Sequence, residues 1–261
     1  MTNRSLITVL FLALFALVAC SGPDSEAPPA AEPMAAAALN LRPLLTSASR
    51  SEADRARDAG RRPAEVIEFL GIKSGMRVID IYAASGYYTE VLSLAVGPAG
   101  HVVAQNPAFI LEMRDGANDK ALNARLAGNR LPNVSRMNGE FEDIAAITGT
   151  FDAAITVLNF HDMYNGQGPG AALATLQAIN SLLKSGGILA IIDHLGVAGA
   201  DNASLHRVEK SQAIETAKAA GFVVEGDANI LANTGDDHTQ AVFAEGVRGN
   251  TDRFLLKFVK P

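Results

Sequence analysis

Cysteine is all but missing. Cys20 stands alone, so no internal disulfide can form and the fold must hold by packing, hydrogen bonds and charge. Positive charge is in the minority, with 22 lysines and arginines against 28 aspartates and glutamates, a net of −6. Bulk charge therefore gives a nucleic-acid partner no electrostatic support, and none is expected. The one long apolar run, Leu6 to Ala19, falls short of the ~20 residues that span a bilayer as a helix. Internal repeats and recognised zinc-ligand spacings are absent too. What remains is a 261-residue chain, 48% hydrophobic and 19% charged, enough to bury one sizeable core.

Arg4 followed by the Leu6–Ala19 run has the form of a secretory signal. Its end, Leu17-Val18-Ala19-Cys20, resembles the lipobox of bacterial lipoproteins, in which the cysteine is lipidated and becomes the mature N-terminus. The resemblance implies a signal peptide over 1–19 and a lipid anchor in the membrane through Cys20. With Ser21 rather than Asp next, it implies an outer-membrane lipoprotein facing the periplasm. A plain signal peptide with a chance cysteine is the alternative. Residues 20–38 carry Pro23, Pro28, Pro29 and Pro33 among many alanines and read as a flexible tether. One domain is expected over 39–261, its first part (39–70) a helical cap.

Within the cap, Arg50, Arg55, Arg57 and Arg61-Arg62 interleave with Glu52, Asp54 and Asp58. The pattern fits a solvated helical face with i,i+4 pairs, or a cationic lid over an anionic substrate. Pro63 opens a helix that Gly71 closes. Strands are expected at 76–81, 101–105, 134–137, 151–158 and 188–192. Helices are expected at 87–95, 108–127 and 170–183, the last ended by Ser185-Gly186-Gly187. After a helix at 211–220 come strand-like runs at 222–224, 241–244 and 254–259, with no room for crossover helices. The reading is α/β: a Rossmann-like, doubly wound, mostly parallel seven-stranded sheet with an antiparallel C-terminal edge.

Three segments now combine: Arg77-Val-Ile-Asp-Ile-Tyr-Ala-Ala-Ser-Gly86, Phe151-Asp-Ala-Ala-Ile-Thr-Val-Leu158 and Leu182-Leu-Lys-Ser-Gly-Gly-Ile188. Their order and spacing resemble the class I S-adenosylmethionine (SAM)-dependent methyltransferases. The closing Arg248 to Pro261 resembles a bacterial predicted-methyltransferase subgroup. The resemblance implies SAM as cofactor and a small-molecule acceptor. By position it implies a cofactor set of Asp80, Tyr82, Ala84, Gly86, Gln105, Glu140 and Asn159. Asp80 stands at the family's acidic place, and Tyr82, Ala84 and Gly86 at its three glycine places. Gln105 stands near the ribose acid and Glu140 near the adenine amino group.

In open α/β sheets, ligands sit beyond the carboxyl ends of the strands. Asn159, His161, Asp162 and Tyr164 follow the fourth strand there, and Asp193-His194 the fifth; His206-Arg207 and Asp236-Asp237-His238 lie in later loops. His161, Asp162 and His194 are the expected acid/base residues. His194, His206, Asp237 and His238 are the candidates for a metal site. Three functions remain open: methyl transfer to a small molecule, a methyltransferase fold that only binds a ligand or partner, and metal-assisted chemistry.

Overall fold

The computed structural model describes residues 40–140 and 148–261; the expected signal peptide, the tether and Cys20 lie outside them. Three helices come first, α1 Leu41–Leu45, α2 Glu52–Arg61 and α3 Pro63–Leu70. Then β1 Arg77–Ile81, α4 Tyr87–Val96, β2 His101–Asn106, α5 Ala108–Leu126 and β3 Val134–Asn138 alternate. After β4 Phe151–Val157 come α6 Pro169–Leu182, β5 Leu183–His194, α7 Lys210–Ala219, β6 Val223–Ala228 and β7 Arg253–Val259.

The strands form one seven-stranded sheet in the order β3-β2-β1-β4-β5-β7-β6. β7 runs antiparallel between β5 and β6, and the other pairings are parallel. Alternation along β1 decides which face each side chain covers. Val78 joins the cluster under α3 and α4, whereas Ile79 and Ile81 join the one under α6 and α7. Each of these is wholly buried, worth about 1.5–3 kcal/mol per side chain. Both faces are thus covered, as continuous apolar strands require.

Four local expectations need correction. Residues 241–244 are turns, because the antiparallel edge is completed by β6 instead. Ser185-Gly186-Gly187 does not end the preceding helix but lies inside β5, where the register against β4 shifts. The helix over 108–127 breaks at Met113–Gly116, with Arg114, Asp115 and Gly116 left-handed. The cap is a solvated face only in part: Glu52 and Arg57 are exposed, but Arg50 and Asp54 are each 2% exposed.

Candidate active site

The loop after β1 is built by bonds from its neighbours. Tyr82, Ala84 and Gly86 all take left-handed φ, at 50°, 49° and 81°. Such a φ suits glycine and costs other residues roughly 1–2 kcal/mol. Side-chain amides at the end of β2 hold the two non-glycine positions. Tyr82 N–H donates to Gln105 Oε1 at 3.2 Å, and Ala84 N–H donates to Asn106 Oδ1 at 2.7 Å. Asn159 Nδ2 donates to the carbonyls of Ile81 and Tyr82, while its Oδ1 accepts the Thr156 hydroxyl. Gln105 Nε2 is spent on Gly139 O at 2.9 Å. Gln105 and Asn159, expected to hold a cofactor, therefore shape the loop that would hold it. At Gly86 a Cβ would come 2.7 Å from Leu122 Cδ1, so that side chain would have to shift.

Asp80 is buried at the root of this loop and accepts the Thr89 hydroxyl at 2.6 Å. Burial raises its carboxyl to about 7, against the pull of the Thr89 bonds and of Arg61 and Arg125. The Tyr82 ring is 7% exposed and stands edge-on to Phe109 with centroids 5.7 Å apart. Glu140 is exposed after β3 and does not line the loop's cavity; burial first, and the Glu140 charge after it, raise the Tyr82 phenol.

Two cavities meet here. One of about 200 Å³ is lined by Asp80, Tyr82–Ser85, Tyr87 and Tyr88. The other, about 600 Å³, is lined by His161, Asp162, His194, Phe243, Arg248 and Arg253. Arg57, Arg61 and Leu158 belong to both walls. Helix α2 is fixed over the loop by Arg50, which grips Asp58 at 2.5 and 2.9 Å, and by the Tyr87 hydroxyl, which donates to Asp58 at 2.6 Å. Asp54 pairs with Arg57, and with Arg125 at 2.7 Å. Arg61 forms no ion pair among the described residues; its guanidinium lies 4.5 Å over the Tyr87 ring and 5.9 Å over the Tyr88 ring. Burial, with nearby Arg57, lowers its pKa. Sequence reading did not single out Arg61 as a site residue, although the cationic-lid pattern contained it.

The histidines hang on Asp193. Its carboxylate contacts His161 Nδ1 at 2.8 Å and accepts the backbone N–H groups of His161 and His194, at 2.8 and 2.7 Å. Burial alone would lower the His161 pKa, but Asp193 and Asp162 outweigh it and raise it to about 10. His194 goes the other way, to about 3, through burial and the nearby charges of Arg253, His161 and Arg207. His194 Nδ1 meets Thr251 Oγ1 at 2.7 Å. Neither ring is poised for proton exchange near neutrality. His206 stands beside His161, with ring centroids 5.6 Å apart. His238 instead contacts Asp252 at 3.0 Å, and exposed Asp237 accepts from Thr239. The four expected metal candidates thus separate: His194 and His206 flank His161, while Asp237 and His238 are engaged elsewhere.

Comparison with known proteins gives this geometry a context. Residues 43–126, which carry α2, β1 and the loop, match the protein-L-isoaspartate(D-aspartate) O-methyltransferase family. The ubiquinone/menaquinone biosynthesis C-methyltransferase UbiE of Pseudomonas paraeruginosa is 28% identical over 128 residues, 49% of this chain and 45% of that one. The chain thus matches less than half the length of such curated relatives. A SAM-dependent methyltransferase from Aquifex aeolicus superposes with a TM-score of 0.59 at 18% identity, covering 80% of this chain and 96% of its own. The [4+2]-cyclase SpnF superposes with a TM-score of 0.58 at 16% identity, covering 83% and 85%. The chain has the Rossmann-like fold of the class I SAM-dependent methyltransferases.

Proposed function

We propose that the domain binds SAM over the Asp80–Gly86 loop and methylates a small anionic molecule held in the adjoining 600 Å³ cleft. One observation carries this reading: the loop cavity and the cleft share Arg57, Arg61 and Leu158, so occupants of the two would be neighbours. The chain's groups fit the cofactor. The loop keeps its left-handed path without glycine at 82 and 84, and the Tyr82 ring packs into the core. Arg61 offers donors that no carboxylate among the described residues claims, suited to the carboxylate end of SAM. Bound there, SAM would supply an electrophilic methyl group. Arg248 and Arg253 would draw an acidic acceptor into the cleft, and an acceptor already anionic needs no base from the protein.

Titration calorimetry of the full chain with SAM and its demethylated product tests the proposal. Micromolar binding, about −8 kcal/mol, is expected, with Arg61→Ala weakening it about tenfold or more. Silence at millimolar ligand defeats it. A second reading, a fold that binds a ligand without transferring methyl, draws on the loop cavity's about 200 Å³, below the ~300 Å³ where ligand pockets begin. We propose also that Cys20 is lipidated and holds the domain at the periplasmic face of the outer membrane. Incorporation of a labelled fatty acid that survives Cys20→Ser would defeat that.

A further inference from the structure

We propose that His161, Asp162 and His206 bind a divalent cation of borderline character, zinc-like, at the wall of the 600 Å³ cleft. The inference stands independently of methyl transfer.

Among the described residues, these are the one group of three whose histidine and carboxylate ligand atoms all lie within 4.8 Å of one another. Asp162 Oδ1 lies 3.3 Å from His161 Nε2 and 3.6 Å from His206 Nδ1. Both separations exceed the 2.7–3.2 Å of a good hydrogen bond. They bracket instead the distance between two ligands of one tetrahedral ion. With metal–ligand bonds of ~2.0–2.2 Å, that distance is about 3.4 Å.

A second observation is the support behind His161. Its Nδ1 is engaged by Asp193 at 2.8 Å, which leaves Nε2 as the atom facing Asp162. A carboxylate behind a histidine in this way fixes the ring, as metal-ligating histidines require, and a metal at Nε2 would displace the proton held there. Asp193 is itself 0% exposed and held by the two backbone N–H groups of His161 and His194. The third ligand, His206, has neighbours on two sides. Its ring is lodged between His161 and Phe243, with centroids at 5.6 and 4.9 Å.

Two imidazoles and one carboxylate select zinc and its neighbours over magnesium or calcium, which prefer all-oxygen sets. Three protein ligands also leave a position open, the arrangement of catalytic rather than structural zinc. His161 and Asp162 both line the cleft, so a ligand in the cleft could complete the shell.

The test uses the full chain, without a histidine tag, stripped by a chelator and dialysed against micromolar zinc. Metal content is read by mass spectrometry and affinity by calorimetry. One zinc per chain is expected. Asp162→Asn and His206→Ala, both partly exposed and so tolerant of change, should each weaken binding about tenfold or more. His238→Ala, whose ring contacts Asp252 instead, should leave it unchanged. Zinc retained at wild-type affinity in both site variants, or bound at well under one per chain in the parent, overturns the assignment. Loss in the His238 variant equal to that in the site variants overturns it too. SAM titrated into the metal-free chain is scored separately, so absence of that heat defeats only the methyl-transfer proposal.

Discussion

Replacing Asp193 by asparagine tests whether this carboxylate organises the histidine side of the cleft. One oxygen meets His161 Nδ1 and the His194 N–H; the other meets the His161 N–H. Asparagine keeps the shape but turns one acceptor into an NH₂. In either orientation that NH₂ faces a backbone N–H and strands it. A buried unsatisfied donor costs about 1–3 kcal/mol. Loss of the charge that faces the His161 ring, 4% exposed, adds to this, and the sum is about 3 kcal/mol. For a domain of this size that corresponds to a fall in Tm of about 6–12 °C.

The pH dependence sharpens the test. The folded pKa of His161 lies above its unfolded value of 6.5, so its contribution is fully present below pH 6.5. It is lost as pH rises toward about 10. Wild type should therefore lose stability across that window, and Asp193→Asn should flatten the loss. Melting curves by circular dichroism from pH 6 to 10 read both effects. A shift within about 2 °C at pH 6, or an unchanged slope, would refute the role given to Asp193.

Gly86→Ala meets a Cβ contact at 2.7 Å in a backbone at φ 81° and should cost about 2 kcal/mol in urea melts, whereas Ala84→Gly should be nearly neutral. Asp80 titrates in the opposite sense to a salt-bridged carboxylate. Its folded pKa, about 7, exceeds its unfolded 3.8, so the folded state binds the extra proton and stability falls as pH climbs from about 4 to 7. Asp80→Asn should remove that fall and raise Tm at pH 8; a lower Tm there would show that the ionised form is the stabilising one.

The sheet was legible because apolar, β-branched runs alternate with helical periods and glycine stops, so the parallel order and the antiparallel edge both follow. Residues 241–244 misled because a short apolar run also serves to plug a loop: Val242 is buried there with no strand partner. The site was half legible. That polar residues gather at strand ends follows from topology, and His161, Asp162, His194 and His206 do gather. What Gln105, Asn106 and Asn159 bond was not legible, since an amide at a strand end can face a ligand or its own neighbour's backbone with equal chemistry. Nor could Arg61 be told from Arg50. One lies on two tyrosine rings and the other in an ion pair, and that difference arises only when α2 docks.

The loop that replaces glycine with tyrosine and alanine has a consequence for how substitutions combine. Its dihedrals are dictated by amides on β2 and just past β4, so the instructions for five residues are stored more than twenty positions away. Changes at Gln105 and Asn159 act on the same peptide, Ile81–Tyr82, one taking its N–H and the other donating to its carbonyl. Once either has released it, the other has less left to hold, and the double substitution costs less than the two single ones together. Glycine at 82 would relax both dependencies at once, making neutral what tyrosine makes indispensable.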